Sequence, residues 1–244
     1  MKKPFSPKIS IVIPVYKEPN LKPLLSHLMA IQKWEECEVI VVSADNEHHF
    51  NKYREQLHSR IFTPFADRIQ LLHSSVKGRG VQMNCGAKVA RGLYLLFLHA
   101  DSHLESKSLV HMTQCLERGF AGGGFSLCID GASRLYTLLS VATNWRARRT
   151  QVPYGDQGIF VRREVFESLG GYREIPIMED VDFVKRLKKG GYPIQVLSNI
   201  IRTSPRRYQE KGILRQALTN RLLMLGYMLG VSPKVLSRYY YGSS

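Results

Sequence analysis

Four short apolar runs, each but the last leading into a stretch of helical periodicity, constrain this chain before anything else does. KISIVIPVY is rich in β-branched residues and ends near a proline, as a buried strand can. LKPLLSHLMAIQKW then repeats its apolar residues at helical spacing, with Asn20 placed to cap it and Pro23 tolerable in its first turn. CEVIVVS leads into the more polar EHHFNKYREQLHSR, and RIQLLHS into KGRGVQMNCGAKVARG; YLLFLH follows directly. This alternation predicts an α/β fold with a mainly parallel sheet covered by helices on both faces. Ligands of such sheets collect beyond the carboxyl ends of strands, near a switch in strand order. Tyr16-Lys17-Glu18 and His99-Ala100-Asp101 both fall at such ends.

After Asp101 the pattern changes. SKSLVHMTQCLERG reads as a helix, GGGFSLCID as a glycine-rich strand and SRLYTLLSVATNWRARR as a second helix. PYGDQGIFVRREVFESLGGY reads as loop, short strand, helix and glycine cap. IMEDVDFVKRLKKGGY opens a helix on acids and closes it on lysines, in keeping with the helix dipole. From Gln209 onward the pattern predicts one long amphipathic helix, then a basic, tyrosine-rich end; MKKPFSPK and YYYGSS read as loose termini.

No segment reaches the roughly 18–20 uninterrupted apolar residues of a membrane span. The stretch from Ile213 carries Arg215 and Arg221, and the first residues lack a signal-peptide core, so a cytoplasmic location is expected. Cys37, Cys85, Cys115 and Cys128 stand singly, as reduced thiols do. Net charge is +5 over residues 1–122 and +10 over 123–244, and a basic second half wants an anionic partner: nucleic acid, an anionic membrane or a phosphorylated small molecule.

Several groups could do chemistry. Asp101 could hold Mg²⁺ or Mn²⁺ while a diphosphate supplies further oxygens; equally, Asp101 or Ser102 could cap a helix beginning near Ser106. His99 and His103 lack a third ligand for zinc. Lys77 and the Gly78-Arg79-Gly80 turn could meet phosphate oxygens, without the spacing of a dinucleotide or Walker loop. Glu179-Asp180 reads either as a dipole partner or as the site of a general base. Gly155-Asp156-Gln157-Gly158 is a turn or a binding loop, and Arg206-Arg207 grips a diphosphate or faces solvent.

Taken together, IVIPVYKE, GRGVQMNCGAKVARGLYLLFLHADS and FVRREVFESLGGYREIPIMEDVDFVKRLKKGG resemble the inverting transferases of glycosyltransferase family 2, over roughly residues 8–200. LHADS, PYGDQGIFVRRE, IMEDVD and TSPRR look most like a bacterial subgroup associated with arsenosugar biosynthesis. The resemblance implies the GT-A fold, a nucleotide-diphospho-sugar donor (a UDP-sugar foremost) and a small-molecule or lipid-linked acceptor. It divides one domain, 1–244, into a donor-binding half (8–103), an acceptor and catalytic half (104–205) and a helical extension (206–244). Asp101 matches the principal ligand of Mg²⁺ or Mn²⁺, with His99 where the motif's first aspartate stands. Asp180 matches the catalytic base, beside Glu179. Pro14, Tyr16, Glu18, Lys77 and Arg79 fall on the donor side. Asp45, in VVSADNE where the family has VVDDGS or VVDGGS, stands in for a missing carboxylate. Asp156 and Gln157 lie toward donor sugar or acceptor, and Arg206 and Arg207 toward the diphosphate.

Two rivals remain at this stage. A sugar nucleotidylyltransferase would carry a Gly- and Arg-rich loop after its first strand, where this chain has VYKEP. A nucleic-acid binder could use RRYQEKG and SRYYYG, but no recognition motif accompanies them and no nucleic acid is expected. The helix from Gln209 either rests on a membrane surface, making the protein peripheral to it, or packs its apolar face on the domain, the expectation favoured here.

Overall fold

The computed structural model describes residues 5–241. Strands β1 (Ile9–Val15), β2 (Cys37–Ser43), β3 (Ile69–His73) and β4 (Tyr94–Phe97) alternate with helices α1 (Lys22–Ala30), α2 (Glu47–Leu57) and α3 (Arg79–Val89). Then come β5 (Ser102–Leu104), α4 (Ser108–Glu117), β6 (Gly122–Ile129), α5 (Arg134–Thr150), β7 (Ile159–Arg162), α6 (Arg163–Ser168), α7 (Glu179–Lys189) and β8 (Ile194–Thr203). Three helices follow: α8 (Arg206–Lys211), α9 (Ile213–Met228) and α10 (Pro233–Tyr241).

One eight-stranded sheet runs in the order β3-β2-β1-β4-β7-β6-β8-β5. β1 is parallel to β2 and to β4, and β2 is parallel to β3, as the alternation predicts. Beyond β4 the sheet turns mixed: β7 is antiparallel to β4 and β6, β8 is parallel to β6, and β5 is antiparallel to β8. Four of the seven strand pairings are parallel, so the sheet is mainly parallel as expected, with its antiparallel pairs at β4–β7, β7–β6 and β8–β5.

Period-two alternation divides β1 between two cores. Ile11 and Ile13 join Leu24, Leu25 and Leu28 of α1, whereas Val12 joins Ile40, Val42, Met83 and Ala87 on the α3 side. Helix α3 presses on the sheet because it has small residues there. A Cβ on Gly86 would lie 2.5 Å from Val12 Cγ1 and 3.1 Å from Val42 Cγ2. One turn earlier, buried Gln82 donates through Nε2 to Val15 O and Val42 O, both at 2.8 Å, fastening α3 to the carboxyl ends of two strands.

Other sequence expectations change. Asn20 accepts from Lys22 N–H (3.0 Å), although the residue in the capping position before α1 is Leu21. Neither Asp101 nor Ser102 caps a helix, since β5 begins at Ser102 and α4 only at Ser108. β8 is a strand the sequence analysis leaves unassigned. The long helix from Gln209 is three helices, broken at Gly212 (φ 83°) and Gly230 (φ 85°), left-handed positions that glycine adopts without strain. Tyr239–Tyr241 belong to α10 and are not loose, nor is the end of MKKPFSPK, where Pro7 is buried and Lys8 donates its N–H to Glu36 O (2.8 Å); residues 1–4 and 242–244 of the expectation lie outside the described residues. The four cysteines are unpaired.

Because Gly86 touches two strands at once, Gly86→Val should overpack the α3–sheet contact and cost about 1–3 kcal/mol. Thermal unfolding would register this as a fall of roughly 2–4 °C per kcal/mol, and an unchanged Tm would show that α3 yields freely.

Candidate functional site

The carboxyl ends of β1 and β4 are neighbours, so the turn at Tyr16–Glu18 and the turn at His99–Asp101 share one mouth of the sheet. Pro14 lies inside β1, paired in register with Val42 and buried, so the exposed part of this motif starts at Tyr16. Lys17 takes a left-handed backbone (φ 52°), held by Asp45, whose two carboxylate oxygens accept its N–H at 2.9 and 3.0 Å. Asp45 also accepts from Ser43 Oγ (3.2 Å) and Tyr53 Oη (3.0 Å), and Tyr53 Oη accepts from Glu18 N–H (2.9 Å). Asp45 thus braces the turn from beneath, with its oxygens committed to protein donors. Above it the Lys77 ammonium sits 3.7 Å from the centroid of the Tyr16 ring.

The second half of the site comes from α7. Met178, just before it, is a non-glycine residue at φ 69°, and such strained backbone tends to mark functional turns. It turns the chain so that Glu179 points in and pairs with Arg79 at the start of α3 (Nε–Oε1 2.9 Å). Glu179 is 2% exposed and its Oε2 has no partner. Burial raises its pKa against the opposing pull of Arg79, while the Glu179 carboxylate holds the guanidinium firmly charged. Gly80 allows this approach: a Cβ there would meet Arg173 O at 2.9 Å.

Asp180, next along, accepts from Gly155 N–H through Oδ2 (2.6 Å) and from Val181 N–H through Oδ1 (2.8 Å). Gly155 also lies against His99: a Cβ on it would be 3.1 Å from both Asp180 Oδ2 and His99 Nε2. Residues distant in sequence therefore meet across one glycine. Burial, with the Arg79 and Arg207 cations, brings the His99 pKa down to about 3, so its imidazole is neutral. Asp156 sits among the same charges. Burial and then the Asp180 carboxylate push its pKa up to about 6, Arg146 and Arg79 pull against this, and Asp101 adds repulsion. Its Oδ1 has no hydrogen-bond partner. Burial raises the pKa of Glu18, with Arg206 lowering and Asp101 raising it, so these three groups share one field. Arg207 donates to Tyr240 Oη (3.1 Å), linking α8 to α10 beside the mouth.

Gln157 does not join the site. It is fully buried, accepts from Arg146 Nη2 (3.2 Å) and Tyr154 N–H (3.1 Å), and donates to Phe125 O (3.0 Å), so it locks the turn that carries Gly155. Arg146, absent from the sequence candidates, lies with its guanidinium carbon 3.3 Å from the Tyr154 ring centroid and donates to Val152 O (2.7 Å). Nothing in NWRARR singles it out from its neighbours. Asp182 is structural, held by Arg173 (3.1 Å) and Arg186 (2.8 Å).

Among the described residues, no three His, Cys, Asp or Glu are gathered to hold a metal, which leaves the zinc idea for His99 and His103 unsupported. His103 instead stacks edge-on with His27, centroids 4.9 Å apart. The Asp101 carboxylate at a strand end does suit Mg²⁺ or Mn²⁺ where a bound diphosphate supplies further oxygens, whereas the neutral imidazole of His99 is a poor donor to Mg²⁺.

The Asp156 carboxyl gives a pH signature. With its folded pKa near 6, above the ordinary 3.8, the folded state holds the proton more tightly than the unfolded state, and stability falls as pH rises between them. Asp156→Asn should therefore gain about 1–2 kcal/mol at neutral pH, after allowance for solvent screening, and nothing near pH ~4. Melting curves of both proteins across that range check this; a pH-independent difference would contradict it.

Three likenesses to known proteins bear on this geometry. The model of the family described as Glycosyl transferase family 2 matches residues 10–170. The chain is 28% identical over 100 residues to the uncharacterized glycosyltransferase YibD of Escherichia coli K12, covering 40% of this chain and 27% of that protein. The mannosyltransferase PcManGT of Pyrobaculum calidifontis, solved with GDP-Man and Mn²⁺, superposes with a TM-score of 0.63 at 16% identity, covering 82% of this chain and 60% of that one. TarS 1–349 of S. aureus, solved with UDP-GlcNAc, gives 0.57 at 16% identity, covering 81% and 58%. These two share the fold, and the chain spans less than two thirds of each protein it is compared with here.

Proposed function

The chain belongs to glycosyl transferase family 2, and from that membership we propose that it moves a sugar from a nucleotide-diphospho-sugar to an acceptor hydroxyl by a single, inverting displacement. The observation that carries this reading is the meeting of His99 and Asp180 at Gly155, which brings the strand-end motif and the α7 motif to one place.

In this reading Asp180 takes the acceptor's proton. The acceptor oxygen forms its bond to the anomeric carbon as the bond from that carbon to the phosphate oxygen breaks, and the electron pair leaves with the nucleoside diphosphate. The Gly155 and Val181 N–H groups fix the orientation of the carboxylate. Glu179 is a positioning residue: its pairing with Arg79 sets the start of α7 and so the aim of Asp180. Asp101 would hold Mg²⁺ or Mn²⁺, which supplies charge neutralisation for the leaving diphosphate. Arg206 and Arg207 add positive charge on the same side. Tyr16 and Lys77 offer an aromatic face and a cation to the nucleotide, and Glu18 a carboxylate. Asp156 is placed toward the sugar or acceptor hydroxyls.

PcManGT and TarS, solved with GDP-Man and Mn²⁺ and with UDP-GlcNAc respectively, support a nucleotide-sugar donor and a divalent cation. A UDP-sugar is the donor we assign first. LHADS, PYGDQGIFVRRE, IMEDVD and TSPRR support the narrower reading within the arsenosugar-associated bacterial subgroup. The family match displaces the nucleotidylyltransferase reading.

Thermal shifts with UDP, GDP, CDP and dTDP, each with Mn²⁺, Mg²⁺ or chelator, test the donor side. One nucleotide should stabilise the protein in a metal-dependent way, and Asp101→Ala should abolish that shift. Asp180→Asn should keep the shift and lower transfer by at least about a hundredfold, the lower range for removing a general base. Full transfer by Asp180→Asn would remove Asp180 from the base role.

A further inference from the structure

The outer face of α9 is apolar, the reverse of an ordinary surface helix. Leu214, Leu218, Leu222 and Leu225, with Leu229 just past its end, are 48–76% exposed. Their spacing puts them on one side of the helix, and at 100° per residue Arg215 and Arg221 flank them on either side. The opposite side is the one that packs. Leu223, with Leu236 of α10, lies on Ile177, Met178 and Val181 around the start of α7. The sequence expectation that the apolar face would pack on the domain is thereby corrected: a few residues do so, and the leucine row faces out.

Helix α5, which packs against α9, has a row of its own: Leu138, Val141 and Trp145 are 60–69% exposed. Arg148 and Arg149 join Val141, Asn144 and Trp145 around an open hollow of about 580 Å³. Scattered exposed apolar residues are normal on a protein surface, but rows on two packed helices mark a place for something else to sit.

Charge selects the occupant. Residues 134–150 and 206–241 together carry eleven Lys and Arg against the single Glu210, a net +10, while the rest of 123–244 has eight of each sign. Of this excess, α5 and α9, the helices that show the apolar rows, hold six arginines and no Asp or Glu, and α8 and α10 hold the rest. Two copies meeting through this face would set like charges against each other. Nucleic acid would answer the arginines but leave the leucines in water. An anionic lipid surface answers both. No helix among the described residues is long and apolar enough to cross a membrane.

We propose that α5 and α9 form a membrane-docking surface, with the leucine row and Trp145 at the acyl boundary and the arginines at the level of anionic headgroups. This surface lies outside the transfer machinery and does not depend on the donor or base assignments.

Vesicle co-sedimentation of the full chain tests it, using phosphatidylcholine alone and phosphatidylcholine mixed with phosphatidylglycerol. Binding should require the anionic lipid and weaken with salt. Leu218→Gln/Leu222→Gln and Arg215→Gln/Arg221→Gln should each lower vesicle affinity by about tenfold or more. Both variants should keep the wild-type Tm and any nucleoside-diphosphate thermal shift, which separates loss of docking from loss of fold or donor site. No binding to the mixed vesicles would overturn the proposal, as would binding that the leucine substitutions leave unchanged. A salt-resistant dimer in solution that Leu218→Gln/Leu222→Gln breaks, without vesicle binding, would assign the face to a second copy instead. Binding to single-stranded oligonucleotides but to neither vesicle would assign the charge to nucleic acid.

Discussion

The pairing of β1 between β2 and β4 is the constraint from which the site follows. Both neighbours run parallel to β1, so the chain leaves it in one direction along the sheet and returns on its other side. The segments that follow β1 and β4 then diverge at their carboxyl ends and leave a crevice. Tyr16 and Glu18 follow β1 and Asp101 follows β4, so these polar groups stand on the rim of that crevice. Gln82 is the fastener: a buried amide spanning the last carbonyls of two strands keeps the start of α3, and with it Arg79, at a fixed height above the sheet.

The second motif reaches the crevice through an ion pair with high stakes. Glu179 is almost wholly withdrawn from water, and its carboxylate is paired with Arg79. Removing one partner of such a pair commonly costs about 3–5 kcal/mol, because the other charge is left buried and alone. The pair thus holds the α3 and α7 starts in register, and Met178 bears backbone strain to let it form. Asp180 inherits its place from these neighbours, and Gly155 completes it with an N–H that a side chain at that position would crowd.

The parts of this fold written in local pattern were legible in the sequence. β1 and β2 are continuous apolar runs because they are buried on both faces, and α7 announces its ends with acids and lysines. What depends on distant partners was not legible. β8 is strand because β6 and β5 lie on either side of it, and IQVLSNIIRT alternates too weakly to say so alone. Within the site, Asp101, Asp180 and Arg79 read correctly as polar groups at element ends. Gln157 looked equally available, yet its amide is consumed by Arg146, Tyr154 and Phe125, none of which adjoins it in sequence except Tyr154's turn. Asp45 looked like a ligand group and is a brace, because Lys17 and Tyr53 happen to converge on it. In the tail, leucine spacing revealed a helix but not which side faced the protein; that was decided by α7 lying under Leu223.

β5 orders events during synthesis. Its three residues follow Asp101 directly, and they pair in the sheet with Ser102 opposite Thr203 and Leu104 opposite Ile201. Ribosomal synthesis delivers the four parallel-side strands early, but this pairing must wait for about a hundred further residues, a closure of high contact order. Asp101 is therefore anchored on its downstream side only when β8 arrives. A nascent chain can thus complete much of the core around β1–β4 while the carboxylate at the strand end is still untethered, and the crevice takes its final shape late in the protein's maturation.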